Sequence, residues 1–218
     1  MTTGDLPPPV RLFLLRHGEV EERYHHTFGG RIDMKLSALG HRQAAKLARF
    51  VVAQKIDAIY ASPMKRVQQT LAPLIEATAL APVVMEELRE VDFGDWTGLN
   101  RDQVREQFYA SASEWLARIE TGRMPNAEPV EAFRHRSEQG LHRILRHHTG
   151  QSVAVLCHGG VIRMMVAMLL ELPLSAMAKF DFEYASLTQI DVHPNKTRVK
   201  LLNFVPWRDE SLGGQWVL

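Results

Sequence analysis

The chain has 218 residues, 45% of them apolar and 23% charged, which is the range of a globular protein with one sizeable core and excludes a disordered chain. Lys+Arg (26) and Asp+Glu (25) nearly cancel, so no bulk field recruits nucleic acid or a membrane surface, and anion binding has to come from local placement of Arg and His. The single cysteine, Cys157, excludes an internal disulfide and fits a reducing compartment.

Residues 1–9 read as a loose polar tail ending in Pro7-Pro8-Pro9, ahead of one domain over 10–218. The apolar run 10–15, closed by Arg16, is too short for a signal-peptide core or a membrane span and predicts a fully buried strand. The most apolar stretch, 161–172, contains Arg163 and Glu171 and predicts a buried helix, so the cytoplasm is the default location. Gly29-Gly30 marks a loop. Ser37 is a natural N-cap for a helix whose Ala44, Leu47, Ala48 and Val51 share one face.

Residues 57–61 predict a second strand, followed by Ser62 as N-cap, Pro63 at the first helical position and Arg66 in the first turn. Pro73 is expected to kink or break that helix. Residues 83–85 predict a short third strand. One helix is expected over 100–121, with Trp115 and Leu116 as core contacts, then a loop over 122–129. A long amphipathic helix follows, with Val130, Phe133, Leu141, Ile144 and Leu145 on its apolar face. Ser152–Cys157 predicts a strand, a helix is expected after Gly159-Gly160, and 187–192 and 199–204 predict a late strand pair.

Alternating strands and helices predict an α/β fold: a three-layer α/β/α sandwich with a mostly parallel central sheet. Ligands of such sheets bind beyond the carboxyl ends of the strands. His17 and His158 each follow a predicted strand directly, so the fold places both on one rim.

Four segments carry chemistry. In Leu15-Arg16-His17-Gly18-Glu19 a neutral imidazole can attack phosphorus, while Arg16 favours the neutral ring by repulsion and can fork onto phosphoryl oxygens. In Ser62-Pro63-Met64-Lys65-Arg66 the cation Arg66 sits where a helix dipole prefers acids, a mismatch that a nearby anion would remove. In Cys157-His158-Gly159-Gly160 a histidine opening a helix can face an anion held on the dipole; Cys157 itself reads as core rather than reactive. In the run 88–96 Glu90, Asp92 and Asp95 are rival proton donors for a leaving oxygen, and Glu90 is half buried among Val91, Phe93 and Trp96. The remaining histidines have no zinc-ligand spacing, and neither a Walker loop nor a dinucleotide-binding glycine motif occurs. No metal and no cofactor are expected.

Together and in this order, these segments resemble the histidine phosphatase superfamily, phosphoglycerate-mutase-like branch, from Arg16 to at least Arg163. Phe28-Gly29-Gly30-Arg31-Ile32-Asp33 is similar to the family's loop before its first helix, and Ser62-Pro63-x-x-Arg66-x-x-Gln69-Thr70 to its second phosphate-binding segment. The resemblance implies that His17 is the phosphohistidine nucleophile, that Arg16, Arg66 and His158 hold the phosphoryl oxygens, and that Glu90 is the acid. Arg23, Gly29, Gly30 and Gly159 are further substrate-binding candidates. Arg23 stands where family members often carry Asn, and Cys157 where Ser or Thr is common.

The mutases of the branch follow their Glu with Arg-His-Tyr-Gly; here Val91-Asp92-Phe93-Gly94-Asp95-Trp96 resembles the phosphatases, α-ribazole phosphatases in particular, with broad-specificity sugar-phosphate phosphatases and phosphoserine phosphatases sharing much of the pattern. The implied partner is a small phosphate ester, with α-ribazole 5'-phosphate one candidate. A cofactor-dependent mutase and a non-catalytic phosphate-binding module are the alternatives. The lid over the site is expected from residues 100–130, and no oligomeric state is implied.

Overall fold

The computed structural model describes residues 7–208, so most of the expected tail and the last ten residues lie outside the described residues. Leu12, Phe13, Leu14 and Leu15 are all fully buried, because the strand that carries them, β1 (Val10–Arg16), runs through the middle of a sheet covered on both faces. The sheet also contains β2 (Ala58–Ala61), β3 (Val83–Val84), β4 (Ser152–Cys157), β5 (Leu187–His193) and β6 (Lys196–Phe204), in the order β3-β2-β4-β1-β5-β6. Strands β3, β2, β4 and β1 are mutually parallel, β5 is antiparallel to β1, and β6 pairs antiparallel with β5. The fold is the expected α/β sandwich with a mostly parallel sheet.

Alternate residues of β1 serve two helix layers, as the two-residue period of a strand requires. Phe13 and Leu15 pack with Leu47 and Val51 of α1 (Ala38–Val52) and with Val67, Leu71 and Leu74 of α2 (Lys65–Thr78). Leu12 and Leu14 pack on the other side with residues of α5 (Val130–Arg146) and α6 (Gly159–Leu169), among them Phe133, Leu141, Ile162 and Met165. Two short helices, α3 (Arg101–Phe108) and α4 (Trp115–Glu120), contribute Val104, Leu116 and Ile119 to that same side of the core.

Five local expectations are corrected. Helix α2 begins at Lys65 with Met64 as its extended N-cap residue, so Ser62 does not cap it; the Ser62 hydroxyl is taken by His158 instead. Pro73 neither breaks nor ends α2, which continues to Thr78. An interior proline costs about 3 kcal/mol, and burying Leu71 and Leu74 on either side of it, at roughly 1.5–3 kcal/mol each, offsets that. The third strand stops at Val84, and α6 starts at Gly159 rather than after Gly160. The single helix over 100–121 is two. Asn100 and Gln103 form a capping box for α3, and Tyr109 ends it in the left-handed region at φ 50°. Ser111 then caps the turn leading into α4. Leu116 is buried and Trp115 half-buried.

Ser37 is the N-cap of α1, its oxygen accepting from the Gly40 amide at 2.9 Å, and its hydroxyl donates to the Glu19 carboxylate at 2.7 Å. The end of β1 and the start of α1 therefore touch backbone to backbone. A Cβ at Gly40 would lie 2.0 Å from the Glu19 carbonyl oxygen, and one at Gly18 2.7 Å from the Gly40 carbonyl oxygen. Gly40→Ala is expected to destabilise the fold by about 3 kcal/mol in urea unfolding, since neither contacting atom belongs to a movable side chain.

Candidate active site

Three adjacent parallel strands end on one rim. Arg16 and Cys157 are register partners, the His17 amide donates to the Cys157 carbonyl at 3.2 Å, and the Ser62 amide donates to the Leu156 carbonyl at 3.0 Å. Sheet pairing alone thus brings the residues after β1, β4 and β2 together. The His17 and His158 rings meet edge to face with centroids 5.3 Å apart, and both are buried, at 5% and 0% exposure.

Arg66, 2% exposed, lies between them. Its Nε–H is shared by His17 Nε2 and His158 Nδ1, each at 3.2 Å. Its two terminal nitrogens donate to the Ile32 carbonyl at 2.8 Å and the Gly30 carbonyl at 3.1 Å. The partners fix both tautomers. His17 Nδ1–H donates to the Gly18 carbonyl at 2.8 Å, leaving a lone pair on Nε2. His158 Nε2–H donates to Ser62 Oγ at 2.8 Å, leaving a lone pair on Nδ1. The Gly18 amide in turn donates to Thr70 Oγ1 at 2.9 Å, which ties the turn after β1 to α2.

Arg16 enters from the other side. It donates to the Phe182 carbonyl and stacks over the Tyr184 ring at 4.2 Å, while its buried Nε has no protein partner. A Cβ at Gly159 would sit 3.6 Å from that Nε and 3.1 Å from Arg163 Nη1, so the absence of a side chain there leaves both guanidinium groups facing open volume. Glu90 closes the site: its carboxylate accepts from the Gly160 amide at 3.1 Å and from its own neighbour, the Val91 amide, at 3.0 Å. A Cβ at Gly160 would come 2.4 Å from Glu90 Oε1, so only glycine admits the acid at this position.

These groups enclose a cavity of about 210 Å³ lined by Arg16, His17, Arg66, Glu90, Gly159 and Tyr184, with Gly29 and Gly30 at its edge. A second cavity of about 900 Å³ lies outside it and shares the walls Thr27, Phe28, Trp115 and Arg163. The predicted set His17, Arg16, Arg66, Glu90, His158, Gly29, Gly30 and Gly159 is brought together. Arg23 is not. Its side chain is 68% exposed, pairs with Glu21 at 3.1 Å and stacks on Tyr24, and it is Tyr24 that lines the cavity. Asp92 and Asp95 also turn away, Asp92 to the Gly94 amide and Asp95 to Asn126. Sequence reasoning gave no role to Arg163 or Tyr184; Tyr184 lies in an irregular segment before β5 and has no local signature.

Burial, with Arg66 and Arg16 close by, pushes His17 well below the ordinary imidazole range, against the opposing effect of its bond to Gly18. His158 is pushed down likewise, by burial and then by Arg66, His17 and Arg16. Burial also lowers Arg66 to about 10 and lowers Arg16, whose proximity to Tyr184 works the other way. Cys157 is pushed up by burial and stays a thiol in the core. The site therefore presents the neutral His17 imidazole and the guanidinium groups of Arg16 and Arg66 to one small cavity at the α6 N-terminus, with the neutral His158 ring buried behind Arg66. That combination suits an anion with a reacting centre near His17 Nε2. Among the described residues no cluster of three or more His, Cys, Asp or Glu could hold a metal ion, and no helix is long and apolar enough to cross a membrane.

A buried, neutral histidine flanked by arginines where parallel strands end suits a phosphate-ester enzyme of the α/β class. The family description "Histidine phosphatase superfamily (branch 1)" matches residues 12–205, and the chain belongs to that family. It is 28% identical to phosphoserine phosphatase 1 of Hydrogenobacter thermophilus over 89% of this chain and 92% of that protein. It is also 28% identical to the adenosylcobalamin/alpha-ribazole phosphatase of Escherichia coli over 89% of this chain and 96% of that one. Among solved structures, a mycobacterial glucosyl-3-phosphoglycerate phosphatase superposes with a TM-score of 0.79 at 27% identity, covering 89% of this chain and 99% of that one. The protein is a phosphatase of this superfamily.

Because His17 and His158 bind protons more weakly when folded than when unfolded, their contribution to stability is complete above the unfolded pKa of about 6.5 and is lost as pH falls through the lower folded values. Each adds a slope of up to about 1.4 kcal/mol per pH unit in that window. The urea midpoint is expected to drop from pH 6.5 to 5, and His17→Phe to reduce that drop by about half.

Proposed function

We propose that this phosphatase hydrolyses small phosphomonoesters in two displacements through His17, without a metal ion. The observation that carries the reading is the His17 tautomer. With Nδ1–H donated to Gly18, the attacking lone pair sits on Nε2, where it accepts from Arg66 at 3.2 Å until an ester in the cavity, which Glu90 also lines, takes it up. In the first step Nε2 bonds to phosphorus, the ester P–O bond breaks, and protonated Glu90 gives its proton to the leaving oxygen. In the second, Glu90 as carboxylate takes a proton from water as that water bonds to phosphorus. The P–N bond then breaks, and phosphate leaves with neutral His17 restored. Arg16 and Arg66 stabilise charge on the equatorial oxygens, and the His158 ring, its Nε2–H held by Ser62, orients Arg66 through Nδ1.

The leaving group is assigned to the outer cavity. Its size, the half-buried Trp115 and the exposed Tyr109 suit a flat, nucleoside-like alcohol better than serine or glycerate. This supports α-ribazole 5'-phosphate as a substrate, in line with the activity named for the Escherichia coli relative. The segment after Glu90, Val91-Asp92-Phe93-Gly94-Asp95-Trp96, in place of the mutases' Arg-His-Tyr-Gly, supports hydrolysis over the mutase reaction. A carboxylic acid beside the nucleophile has no purpose in a module that only binds phosphate.

His17→Ala is expected to lower p-nitrophenyl phosphate turnover by more than about a thousandfold and to abolish the acid-labile label left by a radioactive phosphate ester. Arg23→Ala should stay within about threefold of the parent, since its exposed pair with Glu21 contributes little. Turnover should survive EDTA, and kcat/KM for α-ribazole 5'-phosphate should exceed that for phosphoserine by at least about tenfold.

A further inference from the structure

Glu90 sits on a stretch without regular structure, between the turn Glu86–Leu88 and the turn Gly94–Trp96. A carboxylic acid that transfers a proton in the transition state has to be held to a fraction of an ångström, and an irregular segment does not supply that by itself. The backbone around Glu90 is instead held by one side chain of the helix layer behind it. Arg136, in the second turn of α5, donates to the Glu87 carbonyl at 2.8 Å, the Arg89 carbonyl at 2.6 Å and the Glu90 carbonyl at 3.2 Å.

Arg136 is itself fixed by Glu128, which accepts from its Nε at 2.5 Å and its Nη2 at 2.8 Å. Both side chains are largely buried, at 16% and 11% exposure. Glu128 also accepts from the Asp92 amide at 3.3 Å, and its own amide donates to the Asp92 carbonyl at 3.0 Å, so the segment is gripped two residues beyond Glu90 as well. Helix α5 comes near enough because Gly140 faces the segment: a Cβ there would lie 3.2 Å from Glu87 Cβ. On its cavity side Glu90 is met by the Gly160 amide of α6. The acid is thus gripped between two helices of one layer, one bonding its carboxylate and the other its backbone.

We propose that Arg136, locked by Glu128, is the positioning residue for the Glu90 proton donor. It touches no substrate, and its effect on turnover runs through the placement of Glu90. A guanidinium is required because its planar fork serves a bidentate carboxylate on one edge and three carbonyls on the other, which a single ammonium cannot do. The inference rests on the reading of Glu90 as the acid.

Leaving-group dependence separates this role from a merely structural one. An alkyl phosphate expels a strongly basic alkoxide and needs the proton; p-nitrophenyl phosphate expels a weakly basic phenolate and does not. Arg136→Gln is expected to lower kcat on an alkyl phosphate by about 30-fold, and on p-nitrophenyl phosphate by no more than about threefold, with KM for both little changed. Arg136→Lys should recover part of the loss. Glu128→Gln, which loosens Arg136 without emptying its position, should show the same selectivity more weakly and serves as the test if Arg136→Gln does not fold. Equal losses on the two esters, or no loss on either, would overturn the proposal. Glu90→Gln reports separately on the underlying reading. If it too lacks leaving-group selectivity, Glu90 is not the acid and the positioning role falls with it. If Glu90→Gln is selective and neither the Arg136 nor the Glu128 variant is, only the positioning role fails.

Discussion

A single N–H bond organises this site: Arg66 Nε–H reaches two imidazole lone pairs at once. For that geometry to hold, both rings have to be neutral and in opposite tautomers. Everything around them enforces this. Gly18 takes the proton-bearing nitrogen of His17, Ser62 takes that of His158, and the two arginines together with burial make a third positive charge unfavourable. The remaining Arg66 donors hold the carbonyls of Gly30 and Ile32, so the loop that edges the cavity hangs on the same side chain that sits between the two histidines.

The second constraint is steric. Glycines stand where the backbone has to come close to something charged or rigid. Gly160 leaves the space that the Glu90 carboxylate occupies, Gly159 leaves the space faced by Arg16 and Arg163, and Gly18 and Gly40 let the end of β1 rest on the start of α1. Glu19, two residues after His17, holds the Ser37 hydroxyl at the α1 cap rather than lining the cavity. Part of a short motif that looks wholly catalytic is therefore architectural, and the cap transmits the position of α1 to the residue beside the site.

The site also sits at the seam between the two helix layers. Arg66 comes from the layer of α1 and α2, while His158, Gly160 and the support for Glu90 come from the layer of α5 and α6. Sheet pairing sets the distance between the histidines, whereas the distance from His17 to Glu90 depends on how α5 and α6 pack across the opposite face.

The sequence by itself determined the strand-then-histidine arrangement, the parallel core and the anion-binding character. Apolar runs that stop at Arg16 and Cys157 state directly where buried strands end and chemistry begins. It also carried His17, Arg66 and His158, because each sits at a strand end or in a first helical turn, where position along the chain fixes position on the rim. It did not decide among Glu90, Asp92 and Asp95 on physical grounds: three acids within six residues of an irregular segment differ only in which way the backbone turns. Tertiary structure separates them: Asp92 and Asp95 have local partners, whereas Glu90 meets the Gly160 amide and lines the cavity. It likewise split the expected helix at Tyr109, carried α2 through Pro73, and turned Arg23 outward to Glu21. Each of these outcomes depends on neighbours distant in sequence or on a backbone angle, and local residue preference encodes neither.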